Sequence, residues 1–349
     1  MSWDATPPSP PPGGRRRGPR ARRRGADATH GVSSHALVWD GLSRSYLLSA
    51  TAGRPRPTVF ALHGAGGQAP GMVGLTDLAR RGAQAGFATV FPDGVHRSWN
   101  DGRTGGRLAG RAAVDDAGFL LALIDELVRS GVSDPEAVFV CGMSNGAFMS
   151  DHLARVAPQR VAGIGLVAGT ARVDAPTSTP PPPVPMPVML FSGDADPLIP
   201  YAGGSVGGSA PGSSRRASRR ANWSSRRNGG SGPSGVGGRG QCLGAEALAA
   251  DWAGIAGCDP RPLVERLADP GTDLGVVRLT WMGPAGVPIV LHRIEGGGHT
   301  WPGGPQYLPP RLVGRVATGL DATGILLGYF QWIVSRRNAD RSSPPHLTS

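Results

Sequence analysis

Three residues of types that can together cleave an acyl bond occur in the order Ser144, Asp196, His299, each just past an apolar run. A serine hydroxyl alone is a poor nucleophile at neutral pH. An imidazole that takes and returns its proton, and a carboxylate that fixes the imidazole tautomer and stabilises the imidazolium, make it an effective one. Residues just past apolar runs can overhang the end of a sheet, and this chain order is one that strand-and-helix hydrolytic folds use.

Ser144 carries the sharpest signal. It lies in VFVCGMSNGAF, residues 138–148: a buried strand runs into Gly142-Met143-Ser144-Asn145-Gly146 and then into a helix with apolar period (Ala147, Phe148, Leu153, Ala154). That is the pattern of a nucleophile elbow, whose glycines let strand and helix approach without a Cβ clash. With 55 glycines in 349 residues the bare G-x-S-x-G pattern carries little weight by itself. Gly203-Gly204-Ser205-Val206-Gly207 also fits it, but has neither the strand before nor the helix after.

The other candidates sit in loops. TVFAL (58–62) runs into His63-Gly64-Ala65-Gly66-Gly67, where small residues leave backbone N–H groups free to face a developing oxyanion. Ala65 N–H and Asn145 N–H are the expected donors, and His63 is read as a structural loop residue. In PDGVHRSWNDGR (92–103), Trp99 and Asn100 could offer a substrate an apolar wall and a polar contact, or could anchor the loop. Past VMLF (188–191), Asp196 is preferred to Asp194 as the carboxylate that orients the base, with Asp194 serving the turn. His299, in a glycine-rich loop after the last strand, is the expected base; His292 lies inside that strand and is the weaker choice.

Other elements frame these loops. Ala36–Trp39 and Ser45–Leu48 predict an entry hairpin around Asp40-Gly41; 75–85 a helix; 87–91, 161–167 and 188–191 strands. Asp115 and Asp116 open a helix over 117–129 and are read as structural, because acids in a first turn satisfy free N–H groups. A helix is expected over 245–256, an antiparallel pair (276–281 and 287–294) ending the sheet, and an amphipathic helix over 321–334.

Composition sets the boundaries. Gly 55, Pro 34 and 39% hydrophobic content suggest unstructured stretches diluting an ordinary core. Residues 1–33, 341–349 and a Gly/Ser/Arg-rich insertion at 202–241 are expected to be disordered, around one catalytic domain at 34–340. The net charge of +11 is confined to such stretches: residues 1–30 hold seven Arg and two Asp, and 202–241 hold seven Arg and no acid. All the basic residues are Arg, and Trp223 is the lone aromatic in the basic insertion, so no specific nucleic-acid partner is expected. Cys141 reads as a buried core thiol; Cys242 and Cys258 could pair in an exported protein. No metal-ligand spacing, apolar run of membrane-spanning length or signal-peptide core is seen, and oligomeric state has no sequence signal.

HGAGG, SWNDGR, DDAGFLLALIDEL, GMSNGAF, GDADPLIPYAGG, WAGIAGC and GGGHTWPGG together resemble the polyhydroxybutyrate depolymerase and feruloyl esterase family of serine esterases, over about 35–201 and 242–335. The resemblance implies an α/β-hydrolase fold with a mostly parallel central sheet and helices on both faces. It further implies carboxylic-ester hydrolysis by Ser144, Asp196 and His299, a substrate site near Trp99 and Trp301, and no metal or organic cofactor. The partner would be a small-molecule or polymeric ester. Members of the family are usually exported, whereas no export signal is recognised here; no separate polymer-binding domain is read after the catalytic one. Two other readings stand beside it: a peptidase of the same fold, and a polyanion-binding protein using its Arg-rich segments.

Overall fold

The chain enters as an antiparallel hairpin, β1 (Ser33–Trp39) and β2 (Leu42–Ser49), in a computed structural model that describes residues 31–50, 53–103, 114–173, 186–207, 240–267, 274–284 and 286–342. Asp40 and Gly41 take φ 47° and 72°, the left-handed pair that a tight two-residue hairpin turn requires. The central strands follow: β3 (Arg56–Leu62), β4 (Ala88–Pro92), β5 (Ser133–Met143), β6 (Gly163–Val167) and β7 (Val188–Gly193). After a short β8–β9 ladder (Gly204–Ser205 with Gln241–Cys242), β10 (Leu263–Leu267), β11 (Val276–Met282) and β12 (Pro288–Ile294) complete the set.

Ten of these strands form one sheet in the order β1-β2-β4-β3-β5-β6-β7-β12-β11-β10. From β4 to β12 every neighbouring pair is parallel, and the antiparallel pairs lie at the two edges. Parallel strands are covered on both faces, which is why β4, β6 and β7 are buried along their whole length. In β5, Val138 and Val140 face α3 (Asp116–Arg129), α4 (Asn145–Val156) and α5 (Ala245–Ile255), while Phe139, Cys141 and Met143 face the other layer. That layer contains α1 (Ala69–Thr76), α2 (Leu78–Gln84) and α6 (Ala322–Ser342). The α/β-hydrolase architecture expected from the sequence is the one observed.

Four details differ from expectation. The helix placed at 75–85 is two helices, α1 and α2, broken where Asp77 takes φ 53°. Pro70, Gly71 and Gly74 disguise α1 as loop, and burial of Ala69, Met72 and Val73 overrides their poor propensity. The β11–β12 pair does not end the sheet, because β10 pairs outside it; its exposed face carries no apolar alternation to read. The insertion placed at 202–241 begins and ends in ordered structure, with Val206 N–H bonded to Gly240 O (3.0 Å) and Gly207 N–H to Leu198 O (2.7 Å). Its interior, like residues 1–30 and 343–349, lies outside the described residues. Finally, all three thiols are free. Cys242 precedes α5 and Cys258 follows it, and a helix of that length holds its ends about 16 Å apart, beyond the ~7 Å that a disulfide spans. Among the described residues no helix is long and apolar enough to cross a membrane.

Candidate active site

The turn from β5 into α4 holds Ser144 at φ 56° and ψ −121°, a strained conformation for a residue with a Cβ. Such strain costs about 1–3 kcal/mol and persists only where the surroundings impose it. Here they do. Ser144 N–H donates to Val167 O at the end of β6 (2.9 Å), and Ser144 O accepts from Ala147 N–H and Phe148 N–H (2.9 and 3.1 Å). A Cβ on Gly142 would overlap the Gly146 carbonyl, and one on Gly146 would overlap Leu62 O, so only glycine at both positions lets β3, β5 and α4 meet.

The loop after β3 closes over this turn. A Cβ on Gly64 would stand 3.3 Å from the Ser144 Cβ, which measures how near the His63–Gly67 backbone lies to the serine. Gly66 N–H is spent on Arg97 O (2.7 Å) and Gly67 N–H on Gly64 O (2.9 Å), leaving Ala65 N–H without a partner among the described residues. Asn145 N–H, in the first turn of α4, precedes the first intrahelical bond and has no intrahelical acceptor. His63 is buried scaffold, as expected: its Nδ1 bonds Gly64 O (2.8 Å), its Nε2 accepts from Gly94 N–H (3.0 Å), and burial lowers its pKa.

At the same edge of the sheet, β7 delivers Asp196 and β12 delivers His299. Asp196 Oδ2 accepts from His299 Nδ1 at 2.8 Å, with both side chains under 5% exposed. Asp196 Oδ1 is held by Leu198 N–H (2.7 Å) and Ile199 N–H (2.9 Å), so the carboxylate is aimed before anything binds. With a carboxylate on Nδ1, that nitrogen carries the proton and Nε2 is left basic. The histidine loop is braced in turn: His299 N–H donates to Val313 O (2.5 Å), and Tyr307 Oη donates to His299 O (2.9 Å). Asp194 serves the turn, accepting from Gly296 N–H (2.7 Å) and pairing with Arg293 (3.1 Å). The imidazole–carboxylate pair is preformed. Ser144 Oγ makes no hydrogen bond among the described residues, and such contacts commonly tighten only when substrate is bound.

The three expected substrate contacts are corrected. Trp99 is fully buried, its Nε1 donating to His63 O (2.9 Å) and its ring packed on His63 at 5.0 Å. Trp301 is 1% exposed and donates to Thr323 Oγ1 (2.9 Å). Asn100 gives its side-chain N–H to Val114 O (2.9 Å) and its backbone N–H to Asp116. Each is spent on holding loops together, because a tryptophan beside a glycine-rich turn fills the space that the missing side chains leave. Sequence reasoning passed over Asp101, Arg103 and Tyr307. The first two stand in the SWNDGR stretch, where a carboxylate and a guanidinium two residues apart beside a buried tryptophan are the available signal. Among the described residues no group of three or more His, Cys, Asp and Glu side chains is arranged to hold a metal ion.

Residues 113–208, which include the elbow and Asp196, match the phospholipase/carboxylesterase family. The chain is also 31% identical, over 323 residues, to a curated protein of Nocardia uniformis subsp. tsuyamanensis named "Putative esterase NocK", covering 89% of this chain and 86% of that one. This chain is an esterase of the α/β-hydrolase family. Among solved structures, the esterase resembles acetyl xylan esterase from Aspergillus awamori (16% identity, TM-score 0.47, covering 77% of this chain and 94% of that one). It also resembles an S-formylglutathione hydrolase from Agrobacterium tumefaciens (15% identity, TM-score 0.38, covering 49% and 78%).

Proposed function

We propose that this carboxylic-ester hydrolase works through an acyl-enzyme on Ser144, with His299 as general base and acid, Asp196 orienting it, and Ala65 and Asn145 N–H groups receiving the oxyanion. Ser144 Oγ attacks the ester carbonyl carbon as its proton passes to His299 Nε2. The carbonyl π pair moves onto oxygen, where two N–H donors stabilise it. Collapse breaks the carbon–oxygen bond to the alcohol, which leaves with the proton from Nε2; water then attacks the acyl-serine by the same route, releasing the acid. The observation that carries this reading is the buried 2.8 Å contact from His299 Nδ1 to Asp196 at the sheet edge where the strained Ser144 stands. A carboxylate on Nδ1 fixes the ring so that Nε2 is the nitrogen offered as proton acceptor.

The substrate class proposed is esters of hydroxyalkanoates or hydroxycinnamates, supported by the HGAGG, GMSNGAF and GGGHTWPGG motifs, and the catalytic unit is assigned to 34–340. A fluorophosphonate should label Ser144, and Ser144→Ala should lose at least about 10³-fold of kcat on p-nitrophenyl acetate. Full activity in that variant, or label on another residue, would refute the mechanism. A panel containing hydroxybutyrate oligomer esters, methyl ferulate and simple alkyl esters tests the substrate class, with the highest kcat/KM expected for one of the first two.

A further inference from the structure

We propose that Asp101, held by Arg103, is a positioning residue for acyl transfer: through the Asn145 side chain it sets the direction of the Asn145 N–H. The inference rests on Ser144 as nucleophile and Asn145 N–H as oxyanion donor. The Asn145 amide is buried and fully used. Its Oδ1 accepts from Ser98 Oγ and Trp99 N–H (both 2.8 Å), and its Nδ2 donates to Trp99 O (3.0 Å) and Asp101 Oδ2 (2.7 Å). Two donors meet the oxygen and two acceptors meet the nitrogen, so one orientation alone fits. That side chain locks the first residue of α4 to the loop after β4, and the backbone N–H of the same residue is the proposed donor.

Asp101 is the one charged acceptor on that amide. It is 4% exposed, and both oxygens are committed: Oδ2 also accepts from Arg103 Nη2 (2.6 Å), and Oδ1 from Arg103 N–H (3.1 Å) and Nε (3.0 Å). An asparagine at 101 would turn an NH₂ group toward one of these donors, so a carboxylate is required. Alone, its negative charge would oppose an oxyanion nearby; Arg103 neutralises it. The Arg103 guanidinium lies 3.8 Å above the Phe148 ring. The pair therefore grips α4 at Asn145 and at Phe148, three residues apart and on one helix face. Stability is a poor reason for such an arrangement, because replacing a buried ion pair with apolar residues of similar volume is often neutral or stabilising. Holding a donor to within a fraction of an ångström is a better one, since a 1 Å misplacement can cost about 10²-fold in rate.

The full-length Asp101→Leu/Arg103→Met double variant tests this, because it removes the acceptor while leaving no buried charge unpaired. Rates are counted per Ser144 titrated with fluorophosphonate. The expected result is a thermal midpoint near wild type, kcat on p-nitrophenyl acetate reduced about 10–100-fold, and KM within about twofold. Affinity for an alkyl boronic acid, whose tetrahedral adduct places an oxygen where the oxyanion forms, should weaken by the same factor. A folded double variant with wild-type kcat, or with its loss confined to KM and boronate affinity unchanged, overturns the proposal. Should the double variant not fold, Asp101→Asn is assayed below its own thermal midpoint, which is expected to fall because the buried Arg103 loses its charge partner; the expected losses of kcat and boronate affinity, and the results that overturn the proposal, are the same. Failure of wild-type Ser144 to label would instead remove the nucleophile assignment.

Discussion

Strand β12 and the loop it delivers each contain a buried histidine, and the two rings have opposite fates. His292 is 0% exposed, stacks on Phe191 at 4.7 Å with the rings nearly parallel, and neither ring nitrogen makes a hydrogen bond of normal geometry among the described residues. Burial, with Arg278 on β11 adding to it, pushes its pKa down to about 3, so the ring stays neutral. His299, seven residues on and 3% exposed, has Asp196 on Nδ1. Burial is the same for both; what differs is a carboxylate on one nitrogen. An imidazole in an apolar layer is filler, whereas one oriented by a carboxylate is the kind that the mechanism proposed above requires.

Four substitutions sharpen or break that contrast. The largest effect is expected at His299→Ala, with kcat on p-nitrophenyl acetate falling by about 10⁴-fold or more while the thermal midpoint shifts little. Next comes Asp196→Asn, losing about 10³–10⁴-fold by favouring the wrong tautomer, again read as kcat. Third is the silent ring. Because the folded pKa of His292 lies below its unfolded value, its contribution to stability is fully present above about pH 6.5 and is lost as pH falls from there toward 3. The loss is on the order of 5 kcal/mol, so His292→Phe should flatten urea-unfolding stability between those pH values and leave kcat within about twofold. A comparable kcat loss at His292 and His299 would erase the distinction. The smallest effect is expected at Tyr307→Phe, which removes the brace on His299 O and should lower kcat about two- to fivefold. Burial, helped by the nearby Asp196 charge, raises the Tyr307 phenol to about 12, so the hydroxyl remains a donor across neutral pH.

How legible each part was follows from how local its cause is. The elbow could be read because its constraints act within a few residues: an apolar strand, two glycines where Cβ atoms would overlap backbone, and a helical period after them. Asp196 could be preferred to Asp194 because it lies further into the loop with Pro197 after it to fix the chain direction; the structure adds the N–H groups of Leu198 and Ile199 that its carboxylate accepts from. Trp99, Asn100 and Trp301 misled because an aromatic or amide near a reactive loop has the same appearance whether it faces ligand or core. Their partners, His63, Val114 and Thr323, are 14 to 36 residues away. β10 escaped notice for a related reason: an edge strand is held by its neighbour's backbone and needs no apolar signature of its own.

Residue order and spacing alone dictated the elbow, the glycine loop that faces it, the chain order of hydroxyl, carboxylate and imidazole, and the alternation of strands with helices. Those depend on backbone sterics and short-range periodicity, which are properties of neighbours in the chain. Tertiary structure alone decided which carboxylate reaches which nitrogen, that the tryptophans brace loops, and that Asp101 and Arg103 close on Asn145 and Phe148. Hydrogen bonds and ion pairs between distant segments depend on distances that exist only once the parallel sheet has set its strands side by side.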